Sequence, residues 1–255
     1  MTGTRLRREW WLTAVGFTAV TAGVAVALVR SFDGRTAALW LVGTGVVVGY
    51  QLWFLRRSLG SNHRPAGGPL LSTLGFANAV TLGRGWLYAG VAGFVLVVPP
   101  ADSVWRWAPV AWYGGGIALD WVDGAVARTV GRRTALGTRL DMAFDTVGFL
   151  VAPLVGVVWG RLPVWYLSIS AARYLFKAGR GWRRSREVPV YDLPPSRVRR
   201  PLAALQMLFI TTALVPLVPT AVVAPLAAVV VAPSLAVFAR DYLVVAGHLD
   251  AGENA

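Results

Sequence analysis

Four aspartates stand close together in a chain that is otherwise poor in acids: Asp120, Asp123, Asp141 and Asp145. They fall near the ends of two long apolar segments, where each carboxylate costs about 2.5 to 3.5 kcal/mol on membrane-insertion scales. Ionisable side chains in such segments are candidates for function by default. The chemistry of this protein is therefore expected at these four positions.

The spacing of the aspartates places each pair on one face of a helix, because residues three or four apart are neighbours there. A short connection, residues 129–136, joins the two segments, so both pairs are expected at one membrane depth on adjacent helices. Very small residues continue the two acidic faces: Gly124, Ala127, Gly137 and Gly148. The sequence predicts a cluster of carboxylates beside open space.

Four carboxylates this close cannot all stay ionised without compensation. Two divalent cations would balance them, and ligation by oxygen alone favours Mg²⁺ or Mn²⁺. Arg128 at the rim could bind phosphate. Such a site suits displacement at a phosphoanhydride, with one carboxylate taking the proton of the attacking hydroxyl. The plainer alternative is a set of helix-end salt bridges, with partners among Arg128, Arg132, Arg133 and Arg139.

The elements that carry these residues are membrane helices. Of the 255 residues, 56% are hydrophobic and only 15% are charged, too few charges to cover a soluble domain. Eight apolar segments are long enough to cross a bilayer. They cover residues 10–29, 36–55, 81–98, 104–127, 140–159, 163–177, 202–218 and 221–239. The fold class predicted is an all-α integral membrane protein.

Charge position indicates orientation. The net charge is +13, and 17 basic residues lie in the segments that are cytoplasmic if the N-terminus is cytoplasmic, against four in the opposite segments. We expect a multi-pass protein of the cell membrane with both termini and the aspartates on the cytoplasmic side. The basic residues occupy short loops, which argues against a nucleic-acid binder. The chain has no cysteine, which excludes disulfides and thiol chemistry.

The aspartates belong to a longer pattern, Asp120-x2-Asp123-Gly124-x2-Ala127-Arg128-x8-Gly137-x3-Asp141-x3-Asp145, preceded by Asn78-x2-Thr81-x2-Arg84. This pattern resembles the signature of the CDP-alcohol phosphotransferase (CDP-alcohol phosphatidyltransferase) family. The resemblance implies a six-helix catalytic core at 78–249. We expect two extra transmembrane helices at 1–60, a linker with an interfacial helix at 61–77 and a cytoplasmic tail at 250–255.

The resemblance also implies a reaction and a set of roles. A phosphatidyl-type group would pass from a CDP-activated lipid, such as CDP-diacylglycerol or its ether analogue, to a small alcohol, with release of CMP. Asp120, Asp123, Asp141 and Asp145 would hold two Mg²⁺ or Mn²⁺ ions, and Asp145 would act as general base. The CDP-binding residues would be Thr81, Asp120, Gly124, Ala127, Arg128 and Gly137. Family members are commonly homodimers.

The acceptor alcohol is not specified by this pattern. Arg173, Lys177 and Arg180 recur on one face of the sixth segment and could bind a phosphorylated acceptor. Ordinary cytoplasmic charge, attracted to anionic lipids, explains them as well. Two other classes also place acids in helical bundles: intramembrane Mg²⁺-dependent prenyltransferases, and transporters or scaffolds with an acidic ion path.

Overall fold

The computed structural model describes residues 2–130 and 134–249, with every side chain except those of Thr2 and residues 122–130. This part of the chain contains eight α-helices and no β-strand. Their bounds are α1 Thr2–Ser31, α2 Gly34–Ser58, α3 Gly75–Gly93, α4 Ala108–Val130, α5 Ala135–Val158, α6 Ser168–Ser185, α7 Arg199–Leu214 and α8 Thr220–Val245. The predicted cytoplasmic tail, 250–255, lies outside the described residues.

The helices confirm the all-α membrane fold, and each predicted apolar segment corresponds to one of them. Among the described residues, α1, α2, α5 and α8 are long and apolar enough to cross a membrane. Their outer faces are apolar: Val15, Val46 and Val229 are 63%, 70% and 70% exposed. Large apolar side chains at such exposure fit a lipid environment and not water. That the other four helices also cross the bilayer stays a prediction.

The predicted interfacial helix around Leu70 to Phe76 is wrong. The chain is irregular from Asn62 to Leu74, and α3 begins at Gly75. Gly67 and Gly68 interrupt helical backbone before this point, because their φ of +89° and +116° lie outside the helical region. The Asn62 amide instead fixes the segment by donating to two of its carbonyls, at 3.1 and 2.8 Å.

The chain divides into two compact units, Met1–Val155 and Gly156–Ala255. In the first, α1 and α2 form a hairpin, and Asp33 caps α2 by accepting a 2.6 Å hydrogen bond from the Thr36 N–H. Helix α2 packs closely on α3: a Cβ added to Gly43 would lie 2.7 Å from the Ala92 carbonyl oxygen. Glycine therefore permits the two backbones to touch.

The second unit contains α6, α7 and α8. Arg161, before α6, donates to three carbonyls at the end of α7 and the turn that follows it. The Tyr166 hydroxyl donates to the Gln206 side chain, and Arg199 forms a two-point ion pair with Asp241 at 2.6 and 2.9 Å. These polar contacts tie the helices of this unit together.

Candidate active site between α3, α4 and α5

One face of α3 carries four buried polar residues, Asn78, Thr81, Arg84 and Tyr88, at intervals of three, three and four. Each is at most 3% exposed. A buried arginine requires a compensating charge. We therefore expect acidic side chains of neighbouring helices to contact this face of α3.

Three of the four motif aspartates supply them. Asp120, on α4, forms an ion pair with Nη1 of Arg84. Nη2 of Arg84 lies 2.9 Å from Oδ1 of Asp141 and 3.1 Å from Oδ1 of Asp145, both on α5. The predicted convergence of acids from two neighbouring helices is thus present, around a guanidinium that belongs to a third helix.

The cluster has a buried side and an exposed side. The Arg84 side chain is 2% exposed, whereas the side chains of Asp120, Asp141 and Asp145 are 43%, 41% and 29% exposed. The arginine forms the floor and the carboxylates form an accessible rim. Oxygen atoms on that rim can reach a ligand, whereas the guanidinium cannot be approached from outside.

Thr81 and Asn78 complete this face. The Thr81 hydroxyl lies 3.2 Å from Oδ1 of Asp141, to which it donates, so Thr81 orients a motif carboxylate. Asn78 donates to the Thr134 hydroxyl at 3.2 Å. A Cβ on Gly137 would lie 2.6 Å from Oδ1 of Asn78. The motif glycine thus allows the start of α5 to approach α3.

Tyr88, one helical turn beyond Arg84, sets the separation of the three helices. A Cβ added to Gly116 of α4 would lie 2.5 Å from the Tyr88 ring, and one added to Gly148 of α5 would lie 3.0 Å away. The ring is 1% exposed, so it cannot move into solvent. Glycine on both sides allows the phenol to fill the space between α4 and α5.

The remaining motif residues of α4 are only partly covered by the structure. Asp123, Gly124, Ala127 and Arg128 lie within the helix, but their side chains are outside the described part. Their backbone positions continue the helical turns that follow Asp120. Their predicted roles in metal and CDP binding stay predictions.

The donor set is suited to a hard divalent cation, since the described groups at the rim are carboxylates. Among the described side chains, no group of three His, Cys, Asp or Glu residues is arranged to hold one ion. The three described aspartates instead share the Arg84 guanidinium. Any cation at the rim would bind carboxylates that are already held in place by a positive charge.

The predicted acceptor residues lie on α6, in the second unit. Arg173, Lys177 and Arg180 follow one another along that helix at the predicted spacing. Arg180 lies over the ring of Phe176, with its guanidinium carbon 5.9 Å from the ring centroid. Their predicted role in acceptor binding stays a prediction.

Arg84 is the residue whose role the sequence did not indicate. The sequence offers other arginines as partners of the acids: Arg128, Arg132, Arg133 and Arg139. Of these, Arg139 donates to the Ser61 hydroxyl at 2.5 Å. A usable signal was present: Asn78, Thr81 and Arg84 share one helix face in an apolar segment. A cation there predicts a buried acidic partner on a neighbouring helix.

The fold and the site together define an all-α membrane protein in which aspartates from two helices, α4 and α5, converge on a buried arginine of α3. Within that class, the family model described as CDP-alcohol phosphatidyltransferase matches residues 74–237. The chain therefore belongs to the CDP-alcohol phosphatidyltransferase family, whose members are transferases of substituted phosphate groups. Membership favours the phosphotransferase prediction over the prenyltransferase and ion-path alternatives.

The curated relatives share only part of their sequence with this chain. Proteins of Mycobacterium tuberculosis and Mycobacterium bovis named "Putative cardiolipin synthase" are 30% identical over 102 residues, which cover 33% of this chain and 49% of theirs. The chain spans about half the length of these curated relatives. No solved structure matches the chain.

Proposed function

We propose that this protein transfers a phosphatidyl-type group from a CDP-activated lipid to a small alcohol, with release of CMP. The observation that carries the proposal is the convergence of Asp120, Asp141 and Asp145 on Arg84, at a rim that remains accessible. Family membership supports the same reaction class. CDP-diacylglycerol and its ether analogue are both suitable donors.

Asp145 is proposed as the general base. In the reaction, the acceptor oxygen forms a bond to the lipid-bearing phosphorus, and the bond from that phosphorus to the CMP oxygen breaks. The acceptor's proton passes to the Asp145 carboxylate. The contact with Arg84 at 3.1 Å fixes where that carboxylate stands, which favours proton transfer to a positioned acceptor.

Asp120, Asp123, Asp141 and Asp145 would hold two divalent ions, Mg²⁺ or Mn²⁺. When bound, such ions neutralise the charge of a diphosphate and of its leaving group. Thr81 orients Asp141, and it would border the CDP site together with Gly137. Gly124, Ala127 and Arg128 would line the same site.

The experiment gives purified protein CDP-diacylglycerol, its ether analogue and a panel of alcohols, and measures CMP release. Asp145→Asn should retain CDP binding but lose turnover by at least a hundredfold, in the range general-base catalysis contributes. Asp102→Asn, on an exposed turn of the same unit, is the control and should retain full activity. Near-normal turnover by Asp145→Asn would disprove the base assignment. Undiminished release in excess EDTA would disprove metal dependence.

The acceptor is tested in the same assay. The panel should contain glycerol phosphate, inositol phosphate and their unphosphorylated forms, and also phosphatidylglycerol, because the curated relatives are named for cardiolipin synthesis. If Arg173 and Lys177 bind a phosphorylated acceptor, alanine at either position raises the acceptor KM and leaves the KM for the CDP-lipid unchanged. An unchanged acceptor KM means that these residues are ordinary cytoplasmic charge.

Orientation and assembly are part of the proposal. We place the aspartate rim and both termini on the cytoplasmic side of the cell membrane, supported by the distribution of basic residues, and we propose a homodimer. Since the chain has no cysteine, the variant Asp102→Cys carries a single thiol, and a membrane-impermeant thiol reagent should label it from the outer side. If position 102 is labelled only after lysis and not in intact cells, the proposed orientation is wrong. Light scattering of the purified protein gives the oligomeric state, and a monomer mass contradicts the dimer.

A further inference from the structure

A groove of about 470 Å³ lies where the beginning of α1 meets the end of α2, outside the span matched by the family. Two arginines and two tryptophans contribute to its walls, together with leucines from α1 and from the linker. The lining residues used below are Leu6, Arg7, Trp10, Trp11, Arg56 and Leu70. The groove therefore combines positive charge with apolar surface.

The positive charge in the groove is not paired with an acid in the described part of the chain. Within the described part of the chain, neither Arg7 nor Arg56 forms an ion pair. Glu9, the acid nearest to them on α1, accepts a 2.5 Å hydrogen bond from the Leu74 N–H. Both arginines are exposed. Two unpaired guanidinium groups at one groove form a phosphate-binding arrangement.

One of these arginines is held by a fixed aromatic wall. The guanidinium carbon of Arg56 lies 5.2 Å from the centroid of the Trp10 ring system, within cation–π range. Trp10 is anchored in turn, because its indole N–H donates to the Leu52 carbonyl at 2.8 Å. Arg56 is therefore positioned at the groove instead of extending freely into solvent.

The apolar surface leads away from the groove along α1. Trp11 is 60% exposed, and Val15, one turn further along the same helix face, is 63% exposed. Both α1 and α2 are long and apolar enough to cross a membrane. A molecule with a phosphate at the arginines and a hydrocarbon chain along Trp11 and Val15 would match both parts of this surface.

We propose that the groove binds an anionic phospholipid of the surrounding membrane, with its phosphate headgroup at Arg7 and Arg56 and an acyl chain against Trp11. Charge complementarity selects an anionic headgroup over a zwitterionic one. The continuous apolar face selects a lipid over free phosphate. This site is separate from the aspartate rim, and the proposal does not depend on the transferase reaction.

The test is direct binding to the purified full-length protein in a non-ionic detergent with EDTA. The probes are dioctanoyl phosphatidic acid, dioctanoyl phosphatidylcholine and inorganic phosphate, and native mass spectrometry measures occupancy. The double variant Arg7→Ala/Arg56→Ala should weaken phosphatidic acid binding by about tenfold or more. Phosphatidylcholine should bind weakly to both proteins.

A matched control is available on the same helices. Arg8 and Arg57 are exposed residues next to Arg7 and Arg56, and Arg57 stacks on Trp53 at the same 5.2 Å, yet neither lines the groove. Arg8→Ala/Arg57→Ala removes the same charge and should change binding by less than twofold. An equal loss in both double variants would overturn the groove in favour of general basic charge.

A second pair of variants does not depend on removing arginine. Leu70→Glu places a carboxylate in the groove and should weaken phosphatidic acid binding, whereas Leu71→Glu, at the next position but outside the lining, should not. Unimpaired binding by Leu70→Glu contradicts the site. Displacement of the lipid by inorganic phosphate at equal concentration would show that free phosphate is the ligand, which also overturns the proposal.

Discussion

Replacing Arg84 by glutamine should destabilise the protein by an amount that the geometry allows us to estimate. At about 3 Å and an effective dielectric constant of about 20, each guanidinium–carboxylate pair is worth roughly 5 kcal/mol before desolvation is subtracted. Breaking a buried ion pair costs about 3 to 5 kcal/mol. Because the three aspartates are 29 to 43% exposed, water screens part of this, and we expect about 3 kcal/mol.

The assay is thermal unfolding of purified protein in detergent, followed by tryptophan fluorescence in EDTA. A loss of about 3 kcal/mol corresponds to a fall in Tm of roughly 6 to 12 °C for a chain of this size. Added Mg²⁺ should restore more stability to Arg84→Gln than to the wild type, since a cation would then relieve the repulsion between the aspartates. At a Mg²⁺ concentration of about 100 times its Kd, binding stabilises the folded protein by about 2.7 kcal/mol.

Arg139→Gln is the matched control, because it removes an exposed arginine from α5 beside the same cluster. It should change stability by no more than about 0.5 kcal/mol. If Arg84→Gln and Arg139→Gln unfold at the same temperature in EDTA, Arg84 does not hold the aspartates together, and the reasoning is refuted. If only Arg84→Gln is destabilised but Mg²⁺ raises the Tm of Arg84→Gln and of the wild type equally, the cation does not bind the carboxylates that Arg84 contacts.

Two further perturbations test the packing and the first turn of α2. Gly116→Ala places a Cβ 2.5 Å from the Tyr88 ring and should lower the free energy of unfolding by about 1 to 3 kcal/mol. In the control Gly115→Ala, the added Cβ lies 3.7 Å from the nearest atom, so this variant should be neutral or slightly stabilised. Equal effects of the two substitutions would contradict the packing argument. The backbone N–H of Thr36 lowers the pKa of Asp33, so the stability this cap contributes is present at neutral pH and is lost as pH falls through the lowered value. The Tm difference between wild type and Asp33→Ala should therefore shrink below about pH 4, and a difference independent of pH would rule out the ionised cap.

The acids could be predicted from the sequence because their signal is local. Asp120 and Asp141 each stand in an apolar segment beside a second aspartate, and helical spacing alone assigns each pair to one face. The short connection between the segments then requires the pairs to be neighbours. No knowledge of side-chain packing is needed for either step.

The partner of those acids could not be predicted in the same way. Which arginine reaches Asp120 depends on how α3 is rotated and translated against α4 and α5. In the structure this register is set by the Tyr88 ring between Gly116 and Gly148, a three-helix contact between residues far apart in sequence. Periodicity identifies the buried face of α3, but it does not specify what that face meets.

Helix α2, outside the span that the family model matches, supports α3 through buried hydrogen bonds. The buried Trp40 indole and Gln51 amide, both on α2, donate to the Gly90 and Gly85 carbonyls of α3, at 3.1 and 2.7 Å. Gly85 is the residue after Arg84, so α2 holds α3 from one side while the aspartates hold it from the other. Buried hydrogen bonds of this kind contribute about 1 kcal/mol each, but they fix rotation more strictly than apolar contacts do. Helix α2 thus stabilises the rotation of α3 that directs Arg84 toward the aspartate rim.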